Sequence, residues 1–153
     1  MRMQLYWPAV LLVAACIGRA ESPKAAPGPP ELLWKSMTRT QRMTYMEKVV
    51  VPEMRPLFEA IDPKRFATFG CRTCHGPTFD DNSFDMPNPE LLTLPATPEG
   101  MIPLVRDKGA WLDAMTKRIK PRMAALLGLA EYDSDHPQPD AFGCHGCHRV
   151  EFD

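Results

Sequence analysis

Two short cysteine-histidine motifs constrain this chain more than any other feature of its sequence. The motif C-x-x-C-H occurs at Cys71 to His75 and again at Cys144 to His148. In this spacing, two thiols can each bond one vinyl group of a single haem, and the adjoining imidazole can bind its iron. The predicted attachment residues are Cys71, Cys74, Cys144 and Cys147, and the predicted proximal ligands are His75 and His148. We therefore expect two haem c groups.

Two other uses of these four cysteines have to be weighed. A four-cysteine zinc site would gather the thiols around one ion, but it would leave the adjoining histidines without a role. A pair of disulfides would suit an exported protein, because exported thiols tend to oxidise. Since a histidine follows the second cysteine in both copies, haem explains more of the pattern than either alternative.

The N-terminal segment is typical of an export signal. Arg2 supplies a positive charge, and an apolar run extends from Leu5 to Ala15. This run is too short to span a membrane. We therefore expect residues 1–15 to be a cleaved signal peptide and the protein to be exported.

The end of that segment is similar to the lipobox of bacterial lipoproteins. Its last residues read V-A-A-C, ending at Cys16, which would become the lipidated first residue of the mature protein. The alternative is ordinary secretion with a cut before Glu21. Residues 16–30 are rich in Pro and Ala and are predicted to be a tether, so the folded domain covers residues 31–153. The predicted location is the periplasm, with a lipid anchor in a bacterial membrane.

Composition and charge narrow the function classes. The net charge is −1, with 18 basic and 19 acidic side chains. These charges are interspersed and form no basic patch, so we do not expect nucleic acid as a partner. Ten methionines are an unusual number, and a thioether can either fill a core or bind a soft metal ion.

The similarity between the two halves extends upstream of the motifs. A Phe-Gly pair precedes each motif, and the pattern M-x5-P-x-M occurs twice, at Met46 to Met54 and at Met115 to Met123. An internal repeat of this kind indicates two related structural units. We predict one haem-binding module at about residues 38–80 and a second at about residues 108–153.

Apolar residues recur at helical spacing ahead of both motifs. They predict an amphipathic helix over residues 38–61, with Thr38 as its N-cap and a kink or restart at Pro52. A matching helix is predicted over residues 108–129, with Asp107 as its N-cap. Residues 76–101 show little periodicity and are predicted to be an ordered loop or a spacer. The predicted fold is all-α, a small multihaem cytochrome with four or five helices and long proline-rich loops.

The methionines that follow the repeated proline are the first candidates for the distal iron ligands. Met54 and Met123 would offer sulfur from a helix packed against each motif. Any one of these methionines could instead simply fill the core. The alternative ligands are Met46, Met115, Met86 and His136, with His145 inside the second motif as a further candidate.

The pattern resembles the tetrahaem cytochrome subunit bound to bacterial photosynthetic reaction centres. In that family each repeat is a methionine-bearing helix, a turn, and C-x-x-C-H on a second helix, and residues 38–75 and 108–148 are similar to two such repeats. The resemblance implies His75 and His148 as proximal ligands and a helix methionine as the distal one. Residues 69–76 and 86–89 also resemble the FGCxxCHG and MPNP elements of small exported c-type cytochromes.

Electron transfer is the predicted function, and no catalytic residue is predicted. Histidine and methionine together saturate the iron and leave no position open for a substrate. The alternative is a haem enzyme or gas sensor with one five-coordinate haem, peroxidase-like or cytochrome c′-like. The expected partners are redox proteins, with a membrane-bound electron-transfer complex as one candidate.

Overall fold

The computed structural model describes residues 34–151. The signal peptide over residues 1–15, lipidation at Cys16 and the tether over residues 16–30 lie outside the described residues and stay predictions. The described part is mostly helical, in agreement with the predicted class. Within it, no helix is both long enough and apolar enough to cross a membrane.

The first long helix is built from three consecutive segments. Helix α1 comprises Arg39–Tyr45, a π-helical segment comprises Met46–Val50, and helix α2 comprises Val51–Glu59. Thr38 begins it: its hydroxyl accepts a hydrogen bond from the Gln41 N–H at 3.3 Å, and the Gln41 side chain accepts one from the Thr38 N–H at 2.8 Å. This reciprocal capping satisfies two free amides and confirms the predicted N-cap.

Two very short helices follow the first long helix. Helix α3 is Cys71–His75 and contains the first motif, and helix α4 is Pro77–Asp80. A strand, β1, then covers Leu94–Pro95. The segment between the predicted modules therefore carries some regular structure of its own.

The second long helix repeats the order of the first. Helix α5 comprises Pro98–Ala114, a π-helical segment comprises Met115–Ile119, and helix α6 comprises Lys120–Leu127. Thr97 caps its start, because its hydroxyl accepts a hydrogen bond from the Gly100 N–H at 3.1 Å. Gly128 ends it in the left-handed region, with φ of 64°.

Helix α5 consists of two helical stretches joined at a kink at Lys108, which has φ of −132° and ψ of 25°. The second stretch begins at the predicted position, and the stretch from Pro98 to the kink was not predicted. The Asp107 carboxylate, predicted as the N-cap, accepts a 2.7 Å hydrogen bond from the Arg106 guanidinium. Its capping role at the kink stays a prediction.

Both π-helical segments lie just before a proline, Pro52 in α2 and Pro121 in α6. Proline has no N–H, and in an α-helix its ring collides with the carbonyl four residues back. Here the preceding residue bonds to a carbonyl five residues back, from Val51 to Met46 and from Lys120 to Met115. The wider turn makes room for the ring. The M-x5-P-x-M pattern therefore coincides with a π-helical turn, through which each helix continues.

The two long helices pack against each other in antiparallel directions. The Tyr45 hydroxyl donates to the Leu126 carbonyl at 2.7 Å, and the Arg122 guanidinium pairs with the Glu53 carboxylate at 2.9 Å. The buried core lies between these helices and the segment that follows α2, and its members are Val50, Met54, Phe66, Phe69 and Leu126. The first motif begins directly after Phe69, so this core holds the motif in place.

The second motif lies near the end of the described chain. Cys144–Gly146 forms one 3-10 turn, and strand β2 comprises Val150–Glu151. Strand β2 pairs with β1 in parallel, with Leu94 opposite Val150. This pairing brings the segment after the first motif against the second motif.

Candidate functional site

The first motif forms a single helical turn. In helix α3, the cysteines stand three residues apart and His75 four residues after Cys71, so all three lie on one face of the turn. The Thr73 hydroxyl accepts a 3.0 Å hydrogen bond from the Gly70 N–H and fixes the start of this turn. The Gly76 N–H donates to the Arg72 carbonyl at 2.8 Å and closes its end. The local sequence therefore presents both thiols and the imidazole together.

The second motif is held by a tighter turn. The Cys147 and His148 N–H groups both donate to the Cys144 carbonyl, at 3.1 and 2.9 Å. A 3-10 turn also brings residues three apart onto one side. The two motifs therefore present the same three groups on slightly different backbones.

The two motifs are neighbours in space, and Asn88 bridges them. Its side-chain amide donates to the Cys74 carbonyl at 3.0 Å, and its backbone N–H donates to the Cys147 carbonyl at 3.1 Å. The remaining side-chain oxygen accepts from the Glu90 N–H at 2.8 Å. Asn88 is only 2% exposed, so these bonds form away from water, where an unpaired amide would be costly.

Gly76 makes this bridge possible. Its φ of 60° and ψ of −136° lie in a region that residues with a side chain rarely adopt. A Cβ at this position would also lie 2.3 Å from the Asn88 side-chain oxygen. The glycine after the first motif is therefore required by both backbone and packing.

The chain beyond Asn88 runs alongside the second motif. The Leu94 N–H donates to the Arg149 carbonyl at 2.8 Å, and the Ala96 N–H donates to the Glu151 carbonyl at 3.0 Å. Together with the pairing of β1 and β2, these bonds fasten residues 88–96 to residues 147–151. The region predicted as a loop or a spacer is thus a connector bonded to both motifs.

The ring of His148 is held in a form suited to metal binding. Its Nδ1 lies 2.8 Å from the Leu92 carbonyl oxygen. A carbonyl only accepts, so Nδ1 must carry the proton, and the neutral ring then has its free electron pair on Nε2. Metal-binding histidines are commonly oriented by such a bond from the other nitrogen.

His75 lies in a more apolar environment. Burial lowers its pKa, while the backbone of Phe84 has a smaller opposing effect. The Phe84 ring contacts the imidazole edge-on, with ring centroids 5.5 Å apart. Nδ1 is buried without a hydrogen-bond partner among the described residues. The ring is therefore neutral near pH 7, which is the form that binds metals.

Two of the four motif thiols have raised pKa values. Burial, followed by the neighbouring thiols of Cys147 and Cys71, raises the pKa of Cys74 to about 12. Burial and the neighbouring Cys144 raise the pKa of Cys147 to about 11. The raised pKa values favour the neutral thiol at Cys74 and Cys147, which lowers the reactivity of these two side chains on their own. Among the described residues, no group of three or more His, Cys, Asp or Glu side chains could hold one ion.

Three apolar side chains close to the motifs in sequence remain partly exposed to solvent. Phe79, Met86 and Leu92 lie near the motifs in sequence and are 40%, 36% and 48% exposed. Leu126 is the largest fully buried apolar side chain among the described residues. Few apolar side chains in this part of the chain are fully buried, and several near the motifs are exposed. A large apolar group bound at the motifs would cover these exposed side chains. The thiol pairs, the neutral imidazoles and these surroundings fit a haem at each motif.

Three of the four repeated methionines, Met46, Met54 and Met123, belong to the core or pack against it. Met54 is 3% exposed within the core, and Cys74 packs against the same core. Met46 and Met123 are partly buried and also contact it. Met115 is half-buried at the start of its π-helical segment. Met54 and Cys74 therefore share one apolar cluster, which Met123 also contacts, and distal ligation stays a prediction.

The other predicted ligands lie near the surface. Met86 is exposed on the connector, two residues before Asn88. His136 is exposed and lies 3.2 Å from the Asp133 carboxylate. His145 is exposed within the second motif. Of these three, only Met86 belongs to a segment that contacts both motifs.

Sequence reasoning did not identify the connector residues that organise the site. Asn88 donates to backbone carbonyls of distant segments, and the Leu92 carbonyl accepts from the His148 ring, and such bonds leave no pattern in the sequence. The sequence does carry one weak indication of the role of Asn88. This residue lies between two prolines, which restrict the backbone around its polar side chain. Gly76 follows the first motif, but its special backbone angles could not be read from that position alone.

Comparisons with protein-family models, with curated proteins and with solved structures found no match to this chain.

Proposed function

We propose that this protein is a dihaem c-type cytochrome that carries electrons. One haem would be attached at Cys71 and Cys74, and the other at Cys144 and Cys147. The observation that carries the proposal is the His148 ring, whose Nδ1–H is committed to the Leu92 carbonyl so that Nε2 is available for iron. A zinc site made of the four cysteines alone, or a pair of disulfides, would leave this histidine without a role.

The haem iron, when bound, supplies reversible one-electron chemistry, and the residues of the chain set its surroundings. His75 and His148 would bind it as neutral imidazoles, and the covalent thioether bonds would hold each ring in its orientation. Apolar side chains around the motifs would exclude water from the ring faces. None of these groups is a nucleophile or an acid-base pair suited to catalysis, which favours a carrier over an enzyme.

We further propose that the chain contains two related modules, about residues 38–80 and 108–153. Three features support this. Both long helices have the same order of α-helix, π-helical turn and α-helix, with the turn starting at Met46 and Met115. Residues at matching positions of the two P-x-M elements, Glu53 and Arg122, meet in an ion pair. The matching second cysteines of the motifs are also neighbours.

Met54 is our first choice for the distal ligand of the first haem. It is buried, it lies on the π-turn helix, and it shares the core with Cys74. By the repeat, Met123 would serve the second haem. We also propose that the protein is exported to the periplasm and held there by a lipid anchor at Cys16. It would exchange electrons with redox proteins at a membrane.

Substitution of methionine by leucine tests both the ligation and the function. The wild type should show low-spin ferric haem, the weak far-red sulfur-to-iron band and no carbon monoxide binding. Met54→Leu should lose part of that band and open one iron to carbon monoxide. Because the two side chains have similar volumes, the packing cost should stay below about 1.5 kcal/mol. Absorption spectra with and without carbon monoxide are the measurement.

Met43→Leu is the matched control, since Met43 lies on the same helix and is 43% exposed. Its spectrum should equal that of the wild type. If the wild type is already high-spin and binds carbon monoxide at one haem, the carrier proposal fails and the five-coordinate enzyme or sensor takes its place. If Met54→Leu leaves the band unchanged, Met54 is not the ligand.

A further inference from the structure

We infer that Asn88 is a positioning residue that holds the two haem sites at a fixed short separation, so that they act as one coupled pair. The inference rests on the proposed function, because it concerns how the two haems relate to each other. It goes beyond that function in assigning the coupling to one side chain. The argument comes from the bonds, the burial and the backbone around Asn88.

The bonds of Asn88 connect matching points of the two motifs. Its side chain binds the carbonyl of Cys74 and its backbone binds the carbonyl of Cys147, and each of these is the second cysteine of its motif. Each cysteine would also carry one thioether bond to a haem. A change in the separation of these two carbonyls would therefore move one haem relative to the other.

The orientation of the Asn88 amide is determined by its partners. The Glu90 N–H can only donate, so the side-chain oxygen must face it, and the NH₂ group must then face the Cys74 carbonyl. The residue is 2% exposed, and Pro87 and Pro89 restrict the backbone on either side. A buried amide with its hydrogen bonds satisfied in a restricted backbone has little freedom to shift.

The rest of the connector strengthens the same link. The strand pairing fastens it to the chain after the second motif through the backbone, and the His148 ring donates to the Leu92 carbonyl. On the side of the first motif, the Asn88 amide occupies the space left by the missing side chain of Gly76. Because electron tunnelling weakens steeply with distance, holding the sites together lets an electron move between the haems faster than it leaves the protein.

Circular dichroism in the Soret band tests this inference on the intact, haem-loaded protein. Two haems held close together in a fixed orientation give a bisignate couplet. We expect the wild type to show the couplet and Asn88→Ala to lose most of it. Asn88→Asp should lose it as well, since a carboxylate keeps the shape and the bond from Glu90 but cannot donate to the Cys74 carbonyl. Asn82→Gly is the control, because Asn82 is an exposed asparagine of the same loop whose φ of 61° glycine readily adopts.

Mass and haem content are measured on the same samples. If the wild type carries no haem, the proposed function itself fails. If both haems are present but the wild type lacks the couplet, or if both Asn88 variants keep it at full size, the positioning role is wrong while the cytochrome proposal stands. If the variants mature poorly, hydrogen exchange of residues 86–96 is measured in the wild type instead. Slow exchange of the Asn88 N–H supports the positioning role. Exchange as fast as in an unfolded chain overturns it.

Discussion

Gly76→Ala should destabilise the protein by about 3 kcal/mol, because two separate costs add at this position. The backbone there has φ of 60° and ψ of −136°, which alanine adopts only with strain. The new Cβ would also lie 2.3 Å from the Asn88 side-chain oxygen and would push the buried amide out of its bonds. Denaturant unfolding of the haem-loaded protein, followed by far-ultraviolet circular dichroism, measures the difference.

Gly109→Ala is the matched control for this substitution. Gly109 lies in helix α5, and a Cβ added there would have no atom within 4 Å. Alanine favours a helix more than glycine does, so this variant should gain about 0.5–1 kcal/mol. The account of the connector fails if both variants change stability by similar amounts or if Gly76→Ala has no effect.

His148→Ala should convert the second haem from low-spin to high-spin without releasing it. The two thioether bonds at Cys144 and Cys147 would keep the ring attached, while the iron would lose its proximal nitrogen. The variant should then bind carbon monoxide at one haem, and added imidazole should restore the low-spin spectrum. Absorption spectra recorded during an imidazole titration are the measurement.

His145→Ala provides the comparison within the same motif. His145 is exposed, whereas the His148 ring is fixed by its 2.8 Å bond to the Leu92 carbonyl. The spectrum of the His145 variant should match that of the wild type. If the His148→Ala protein stays low-spin and does not bind carbon monoxide, His148 is not an iron ligand. If the His145→Ala protein is high-spin, His145 is the ligand instead.

The features that sequence could predict are those fixed by neighbouring residues. Each C-x-x-C-H motif is recognisable because its chemistry needs residues three and four apart, which one turn supplies. Thr38 is a predictable N-cap because threonine favours this position ahead of an apolar helical pattern, and the capping box with Gln41 confirms it. The helical stretch that starts after Thr97 lacks a clear apolar period, so only the stretch beyond the kink at Lys108 was predicted.

The connector could not be predicted, because it depends on which distant segments the fold brings together. Asn88 binds two backbone carbonyls from separate segments of the chain, and every residue has a carbonyl. The π-helical turns were only partly foreseen. Proline at positions 52 and 121 indicated a disturbance of the helix, but whether a helix kinks, restarts or widens is decided by its packing.

The intact mass of the mature protein tests the central claim most directly. After expression in a host with complete cytochrome maturation, the purified protein should weigh as much as its polypeptide, any lipid and two haems. The quadruple variant with Cys71, Cys74, Cys144 and Cys147 all changed to alanine should weigh as much as its polypeptide and lipid alone. A wild-type mass equal to the polypeptide and lipid would contradict the account.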